Sequence, residues 1–133
     1  MNLVTAKRRI LLVDDELTIA ETLALVFASG GYEVRVAWSA EQAVDTIANW
    51  QPDLAVLDVM LPQMNGIDLA FVITENYPAC QILLVSGHPA AAELLKAAGA
   101  RGRTFEILGK PVHPALILAS VARILAGAEG ADA

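Results

Sequence analysis

The sequence predicts an α/β fold, a doubly wound parallel sheet with helices on both faces, and three observations carry that reading. Five short segments rich in β-branched and large apolar residues recur along the chain: "RILLV" (9–13), "YEVRVA" (32–37), "LAVLD" (54–58), "ILLVS" (82–86) and "FEILG" (105–109). Three of them are almost continuously apolar, the pattern of parallel strands covered on both sides. Helix-period segments alternate with them, and such alternation builds a parallel sheet with crossover helices.

Each element has its own justification. After the first strand, residues 16–29 place Leu17, Ala20, Leu23, Ala24 and Phe27 on one stripe, and Gly30-Gly31 supplies the helix stop. "YEVRVA" alternates polar with apolar, which marks an edge strand with one wetter side. In 40–50 the stripe is Ala43, Val44 and Ile47, with Ser39 and Gln42 at capping-box spacing. After the third strand, 66–77 carries Ile67, Ala70, Phe71 and Ile73/Thr74, and Asn65 stands where an N-cap belongs. Pro89 and Pro114 sit where a first helical turn tolerates proline, and Gly99 is read as the end of the fourth helix. Five such units favour a flavodoxin-like (βα)5 sheet in the order 2-1-3-4-5, and right-handed crossovers leave few alternatives.

Composition narrows the class. The chain has 133 residues, 56% of them hydrophobic, enough for one domain with a dense core and too apolar for disorder. No apolar run approaches the about 18 residues that would cross a bilayer. The start "MNLVTAKRR" has its charges after its apolar letters, the reverse of a secretory signal. The single cysteine, Cys80, permits no internal disulfide, and the expectation is a cytoplasmic protein with no membrane contact and Cys80 in the core. Nine Lys+Arg against 15 Asp+Glu give a net charge of −6, which argues against nucleic-acid binding. Lys7-Arg8-Arg9 and Arg101/Arg103 are read as solvated flanks.

Function in such a sheet sits beyond the carboxyl ends of the strands. Those ends are Asp14-Asp15-Glu16 after the first, Asp58 after the third, Ser86 after the fourth and Lys110 after the fifth. Asp14, Asp15 and Asp58 are therefore expected to meet. Left alone they repel, each pair at 4 Å by about 4 kcal/mol at an effective dielectric near 20. A divalent cation with Lys110 brings the three acids to roughly zero charge, and oxygen-only ligands select Mg²⁺ or Mn²⁺. A carboxylate beside such a cation is a nucleophile toward phosphorus. The cation and Lys110 can then neutralise the transferring group while Ser86 donates a hydrogen bond to it.

The motifs "VDDE", "LDVMLPQMNG", "VSGHP" and "GKP", in that order at strand ends, resemble the response-regulator receiver domain of two-component signalling. The resemblance covers about 8–126, with short flexible tails at 1–7 and 127–133 and no output domain expected. It implies a stand-alone regulator rather than an enzyme with an external substrate. Asp58 would be the phosphoacceptor for a histidine kinase or phosphotransfer protein, and phosphorylation would switch contacts with an unknown protein target. Asp15 would bind Mg²⁺ directly, Asp14 chiefly through water, and Asp58 and the Met60 backbone carbonyl would complete the ligand set. Lys110 and Ser86 would bind the phosphoryl group, and the Lys110–Pro111 bond would be cis.

Two departures from the family pattern stand out. Ile107 occupies the position where receivers carry the switch Tyr or Phe, and the nearest aromatic is Phe105. Met60 and His88 occupy the positions that gate attacking water, and an apolar Met60 predicts a slowly hydrolysed phosphoryl group. Bland readings exist for each residue: Asp14 and Asp15 as helix caps, Ser86 as a turn residue, Lys110 as a loop lysine, His113 as a cap. The charge-poor segments "PAAAELLKAAGA" and "PALILASVARILAGA" point to a homodimer or partner interface over the 89–126 surface. A phosphohydrolase is disfavoured because its acid/base aspartate has no counterpart two residues beyond a nucleophile on the first strand. A nucleotide- or flavin-binding module is disfavoured because no phosphate-binding glycine loop follows that strand, and a phosphate-independent scaffold because neither the acids nor the lysine are lost.

Overall fold

The computed structural model describes residues 7–131. Ten elements alternate in chain order: β1 (Arg9–Val13), α1 (Leu17–Ser29), β2 (Glu33–Ala37), α2 (Ala40–Asn49), β3 (Leu54–Asp58), α3 (Gly66–Asn76), β4 (Gln81–Ser86), α4 (Ala91–Ala100), β5 (Glu106–Gly109) and α5 (Pro114–Ala131). The strands form one parallel sheet in the order β2-β1-β3-β4-β5. This is the flavodoxin-like arrangement expected, with the alternating strand β2 at an edge.

Strand periodicity of two divides the core into two layers. Leu11, Val13, Ala55, Leu57, Ile82 and Leu84 face α2, α3 and α4, where Ile47, Ile67, Ile73 and Ala98 are buried. Ile10, Leu12, Leu54, Val56, Leu83 and Val85 face α1 and α5, against Leu23, Phe27, Ile117 and Val121. Every residue of β3 is buried, so its apolar run is that of a central strand. Each large apolar side chain sequestered this way contributes about 1.5–3 kcal/mol.

Helix ends follow their local chemistry, with some differences from expectation. Ser39 Oγ accepts from the Gln42 amide at 3.1 Å, but Gln42 Oε1 reaches past Ser39 to the Trp38 amide at 2.7 Å. Asn65 Oδ1 accepts from the Asp68 amide at 2.8 Å, as an N-cap should. Gly31 stops α1 at φ +94. Gly99 lies inside α4, and the residue that takes the left-handed conformation after it is Gly102, at φ +90. Pro89 falls in the turn ahead of α4, whereas Pro114 opens α5. Leu17 and Val44 are exposed rather than part of their buried stripes.

Two further expectations change. The expected tail from residue 127 begins as helix, since α5 runs to Ala131; the expected tail at 1–7 falls, apart from Lys7, outside the described residues. The basic flanks are structural rather than merely solvated. Arg8 and Arg9 pair with Asp53 and Glu33 at 3.7 and 3.8 Å, and Arg101 pairs with Asp68 at 3.0 Å while lying 3.8 Å over the Phe71 ring.

Candidate functional site at the carboxyl ends of the strands

Register explains why distant residues meet. Val13 lies beside Leu57 and Asp58 beside Val85, so Asp14, one step beyond Val13, stands level with Asp58. Ser86 lies beside Gly109, which puts Lys110 one step further along the same rim. The Asp14 amide still donates to the Ala37 carbonyl at 3.1 Å, so this residue extends the ladder before the chain turns.

Both acids are buried, Asp14 completely and Asp58 at 4% exposure. The Lys110 ammonium bridges them, with Nζ at 3.0 Å from Asp14 Oδ2 and 3.0 Å from Asp58 Oδ2, and 3.5 Å from Glu16 Oε1. Each carboxylate also holds its own loop: Asp14 Oδ1 accepts from the Glu16 amide at 2.9 Å, and Asp58 Oδ1 from the Met60 amide at 3.0 Å. Burial pushes the Asp14 carboxyl above its ordinary value, although the Glu16 amide and Lys110 pull the other way. For Lys110 burial favours the neutral amine, but its hydrogen bonds to Asp58 and Asp14 outweigh burial and hold the ammonium above its ordinary value.

A cleft of about 300 Å³ opens onto this group, lined by Glu16, Asp58, Met60, Ser86, Gly87, His88 and Lys110. Ser86 is buried at its floor, where Oγ accepts from the His88 amide at 3.1 Å. Met60 and His88 are exposed at the mouth. The Lys110–Pro111 bond is cis, as the resemblance implies. Ile107 does not line the cleft; it packs into the layer beneath α3 and α4 along with Phe105, whose ring stands edge-on to Phe71 at 5.4 Å.

The third acid of the group differs from expectation. Oxygens of Asp14, Glu16 and Asp58 lie within 4.8 Å of one another and form, among the described residues, a group able to hold a metal ion; Asp15 is exposed and outside it. Successive residues of extended backbone point to opposite sides. Asp14 is buried, whereas Glu16 and Asp15 are both exposed, with the Glu16 carboxylate on the side of Asp14 and Asp58. In the sequence the three acids are adjacent, and nothing in composition says which side each takes.

Gly66 is a site residue that sequence reading missed. A Cβ there would stand 2.2 Å from the Asp58 carbonyl oxygen, and the Gly66 amide donates to the Val59 carbonyl at 2.8 Å. Its lack of a side chain fixes how closely α3 approaches the backbone of Asp58 and Val59. One signal was available: glycine in the opening turn of a helix costs stability and calls for another reason. Cys80 is buried just ahead of β4, as expected of a core residue, with its thiol pushed up to about 12 by burial.

Fold and site together define a class: a parallel α/β domain with a lysine-bridged acid pocket at its carboxyl rim. The family model of the response regulator receiver domain matches residues 10–122, and the chain belongs to that family. It is 32% identical over 117 residues to the DNA-binding response regulator MtrA of Mycobacterium tuberculosis, a match covering 88% of this chain and 50% of that protein. The chain thus spans about half the length of the curated relatives it matches. Among solved structures it is similar to a CheY-like receiver domain from Methanospirillum hungatei, with TM-score 0.85, 26% identity and coverage of 94% and 98% of the two chains. The signal receiver domain of an HD domain-containing protein from Pseudomonas fluorescens gives TM-score 0.88, 28% identity and coverage of 99% and 96%. No helix among the described residues is long and apolar enough to cross a membrane.

Proposed function

We propose that this chain is a phosphoryl-accepting signalling domain in which Asp58 takes a phosphoryl group from a histidine kinase or phosphotransfer protein. The observation that carries the reading is the lysine bridge: one ammonium 3.0 Å from each of two buried carboxylates on different strands. A structural role for these acids would need their charge closed, yet Asp14, Glu16 and Asp58 share one lysine and remain two charges short.

A hard divalent cation fits that deficit, because the ligand atoms grouped there are carboxylate oxygens. Asp14, Asp58 and the Met60 carbonyl would hold it, with the further acid either Asp15, as the resemblance implies, or Glu16, whose oxygen lies with theirs; when bound it would neutralise acceptor and phosphoryl oxygens. Asp58 Oδ attacks phosphorus, the bond to the donor breaks with its electron pair leaving on the donor, and a mixed anhydride forms. Lys110, already aimed at Asp58 Oδ2, pairs with the phosphoryl oxygens, and the Ser86 hydroxyl donates to one of them. The apolar Met60 side chain cannot itself orient an attacking water, so the adduct is expected to persist well beyond seconds.

Incubation with a small phosphodonor and Mg²⁺, followed by intact mass, tests this. A covalent phosphoryl adduct is expected, absent in Asp58→Asn and in chelator; its absence from the unaltered chain would overturn the reading. Titrating Mg²⁺ into Asp15→Asn and Glu16→Gln then compares the two acids, the one that ligates being expected to weaken binding the more when it is lost. The expected exclusion of nucleic acid is confined to this domain's own acidic surface, because the relative named for DNA binding is twice as long as the match. The small exposed side chains of α4 and α5, with Leu116 53% exposed, support a homodimer or target surface, tested by size-exclusion with and without beryllofluoride.

A further inference from the structure

Exposed apolar side chains gather at one edge of the sheet. Among the described residues the large ones are Leu17, Leu25, Trp38, Val44, Met60 and Leu116. Four of these six sit on the two helices packed against β2 or directly after that strand: Leu17 and Leu25 on α1, Val44 on α2, and Trp38. Leu25, the most exposed at 73%, lines a groove of about 510 Å³ with Glu21, Ala24 and Ala28 of α1 and Val34 and Val36 of β2.

β2 is bonded on one side only, to β1. The Glu33 amide donates to the Arg8 carbonyl at 2.9 Å and the Ala37 carbonyl accepts from the Asp14 amide at 3.1 Å, so the odd-numbered residues carry that ladder. Directions alternate along a strand, and the amides and carbonyls of Val34 and Val36 therefore face outward. Edges are commonly guarded by proline, a bulge or charge. β2 has no proline, its register with β1 is unbroken, and its two charges, Glu33 and Arg35, have opposite sign.

We propose that the β2 edge is a self-association surface, taking β2 of a second copy in antiparallel pairing centred on Val34. In that register the two Val34 residues bond reciprocally, and each Val36 amide donates to the Tyr32 carbonyl of the other copy. Glu33 of each copy then stands opposite Arg35 of the other, an attractive cross-strand pair made twice. Centring on Glu33 or Arg35 instead sets like charges face to face, which is destabilising; centring on Val36 leaves both charges opposite Ala37 and Ser39. The edge is thus complementary to itself in one register.

The two sides of the pairing divide the work. Val34 and Val36 belong to the α1 layer, so the grooves and Leu25 of the two copies meet there. The charges lie on the other side, where Trp50 already holds them: Arg35 is 4.8 Å over its ring and Glu33 accepts from its Nε1 at 3.1 Å. Side chains fixed beforehand lose less freedom on association. β2 and β5 are opposite edges of the sheet, so this surface is separate from that of α4 and α5 and does not rest on the phosphoryl-accepting reading.

Sedimentation equilibrium of the full chain, with no phosphodonor or beryllofluoride, tests this from about 1 µM to about 1 mM, the span of weak to moderate affinities. A monomer–dimer equilibrium is expected. Leu25→Asp should weaken it about tenfold or more, the loss that follows an unpaired charge buried at a contact, whereas Leu116→Asp on α5 should leave it unchanged. Glu33→Arg and Arg35→Glu should each weaken self-association about tenfold by opposing like charges. An equimolar mixture of those two variants should restore it, because one chain then offers two guanidinium groups and the other two carboxylates. By NMR the Val34 and Val36 amides should exchange more slowly as concentration rises, while the Glu33 amide stays protected throughout. Circular dichroism checks that the charge variants are folded; if they are not, Leu25→Asp and the exchange data still decide. A chain monomeric over the whole range would overturn the self-pairing and leave the edge to a strand of a different protein. A dimer weakened by Leu116→Asp but not by Leu25→Asp would place the contact elsewhere, and folded charge variants that fail to rescue each other would overturn the Val34 register.

Discussion

The two ends of the sheet treat charge in opposite ways. At the amino ends of the strands each acid has a base: the Arg9 amide donates to Asp53 Oδ2 at 2.8 Å, Arg8 and Arg9 pair with Asp53 and Glu33, and Glu33 accepts from Trp50 Nε1 at 3.1 Å. Arg9 and Arg35 lie 5.4 and 4.8 Å over the Trp50 ring. At the carboxyl ends three carboxylates share one lysine. Both ends bring residues from neighbouring strands together, so proximity alone is uninformative. The difference lies in closure. At one end every acid has a base of its own, and at the other three acids share one lysine.

The largest expected effect breaks the closed end. Trp50 is 3% exposed and both faces of its environment are built around it. Trp50→Ala should cost about 3–5 kcal/mol, seen as a lower urea midpoint, while the phosphoryl adduct per folded molecule stays at its original level. A fall in adduct on the folded fraction would mean that the two ends are not separable. Gly66→Ala comes next, at about 3 kcal/mol, because the added carbon meets backbone that cannot step aside. Unlike the tryptophan change it should also lower the adduct per folded molecule, since the atom it displaces belongs to Asp58. Loss of stability without loss of adduct would show that α3's approach to Asp58 is packing alone.

This contrast also explains what was legible in the sequence. The sheet order, the edge position of β2 and the meeting of Asp14, Asp58, Ser86 and Lys110 follow from strand count and strand ends, because parallel register levels every carboxyl end on one rim. Which of three adjacent acids joins the group does not follow. It depends on a backbone torsion at the β1–α1 turn, and Glu16 rather than Asp15 is the one brought to the group. Gly66 was hidden because its role is the absence of an atom. Arg8, Arg9 and Arg101 read as solvated charge because cation–aromatic and acid partners sit more than 20 residues away in the chain or in another element. The stop of α4 slipped from Gly99 to Gly102 because a glycine inside a helix looks the same as one at its end until φ is known.

A smaller effect sharpens the open end. The Asp14 carboxyl is raised by burial, so in the folded chain it holds its proton more tightly than in the unfolded one. Such a group gives its full stabilisation below its ordinary value of 3.8 and loses it as pH rises through the folded value. At neutral pH the ionised Asp14 is therefore a cost in the absence of a divalent cation. Asp14→Asn should raise stability at pH 7, and the gain should shrink as the pH is lowered toward 3.8. Mg²⁺ should stabilise the unaltered chain through mass action and stabilise Asp14→Asn less. Equal midpoints for the two chains at pH 7 without Mg²⁺ would mean that Lys110 already closes the deficit.

The smallest effect separates the two ends by salt. Arg9 and Glu33 have half-exposed side chains 3.8 Å apart, and pairs of that kind are worth about 0–1 kcal/mol. Arg9→Ala should thus cost about 1 kcal/mol or less once its contact with Trp50 is included. Raising the ionic strength from about 0.1 to about 1 M shortens the screening length from about 10 to about 3 Å, so that cost should shrink. The Asp14→Asn gain should persist over the same range, because its largest cause is burial, which salt does not screen. Parallel urea titrations of the three chains at the two ionic strengths read both differences at once. If the Asp14→Asn gain vanished in salt along with the Arg9→Ala cost, the open end would be governed by repulsion between exposed acids rather than by a buried carboxylate awaiting a cation.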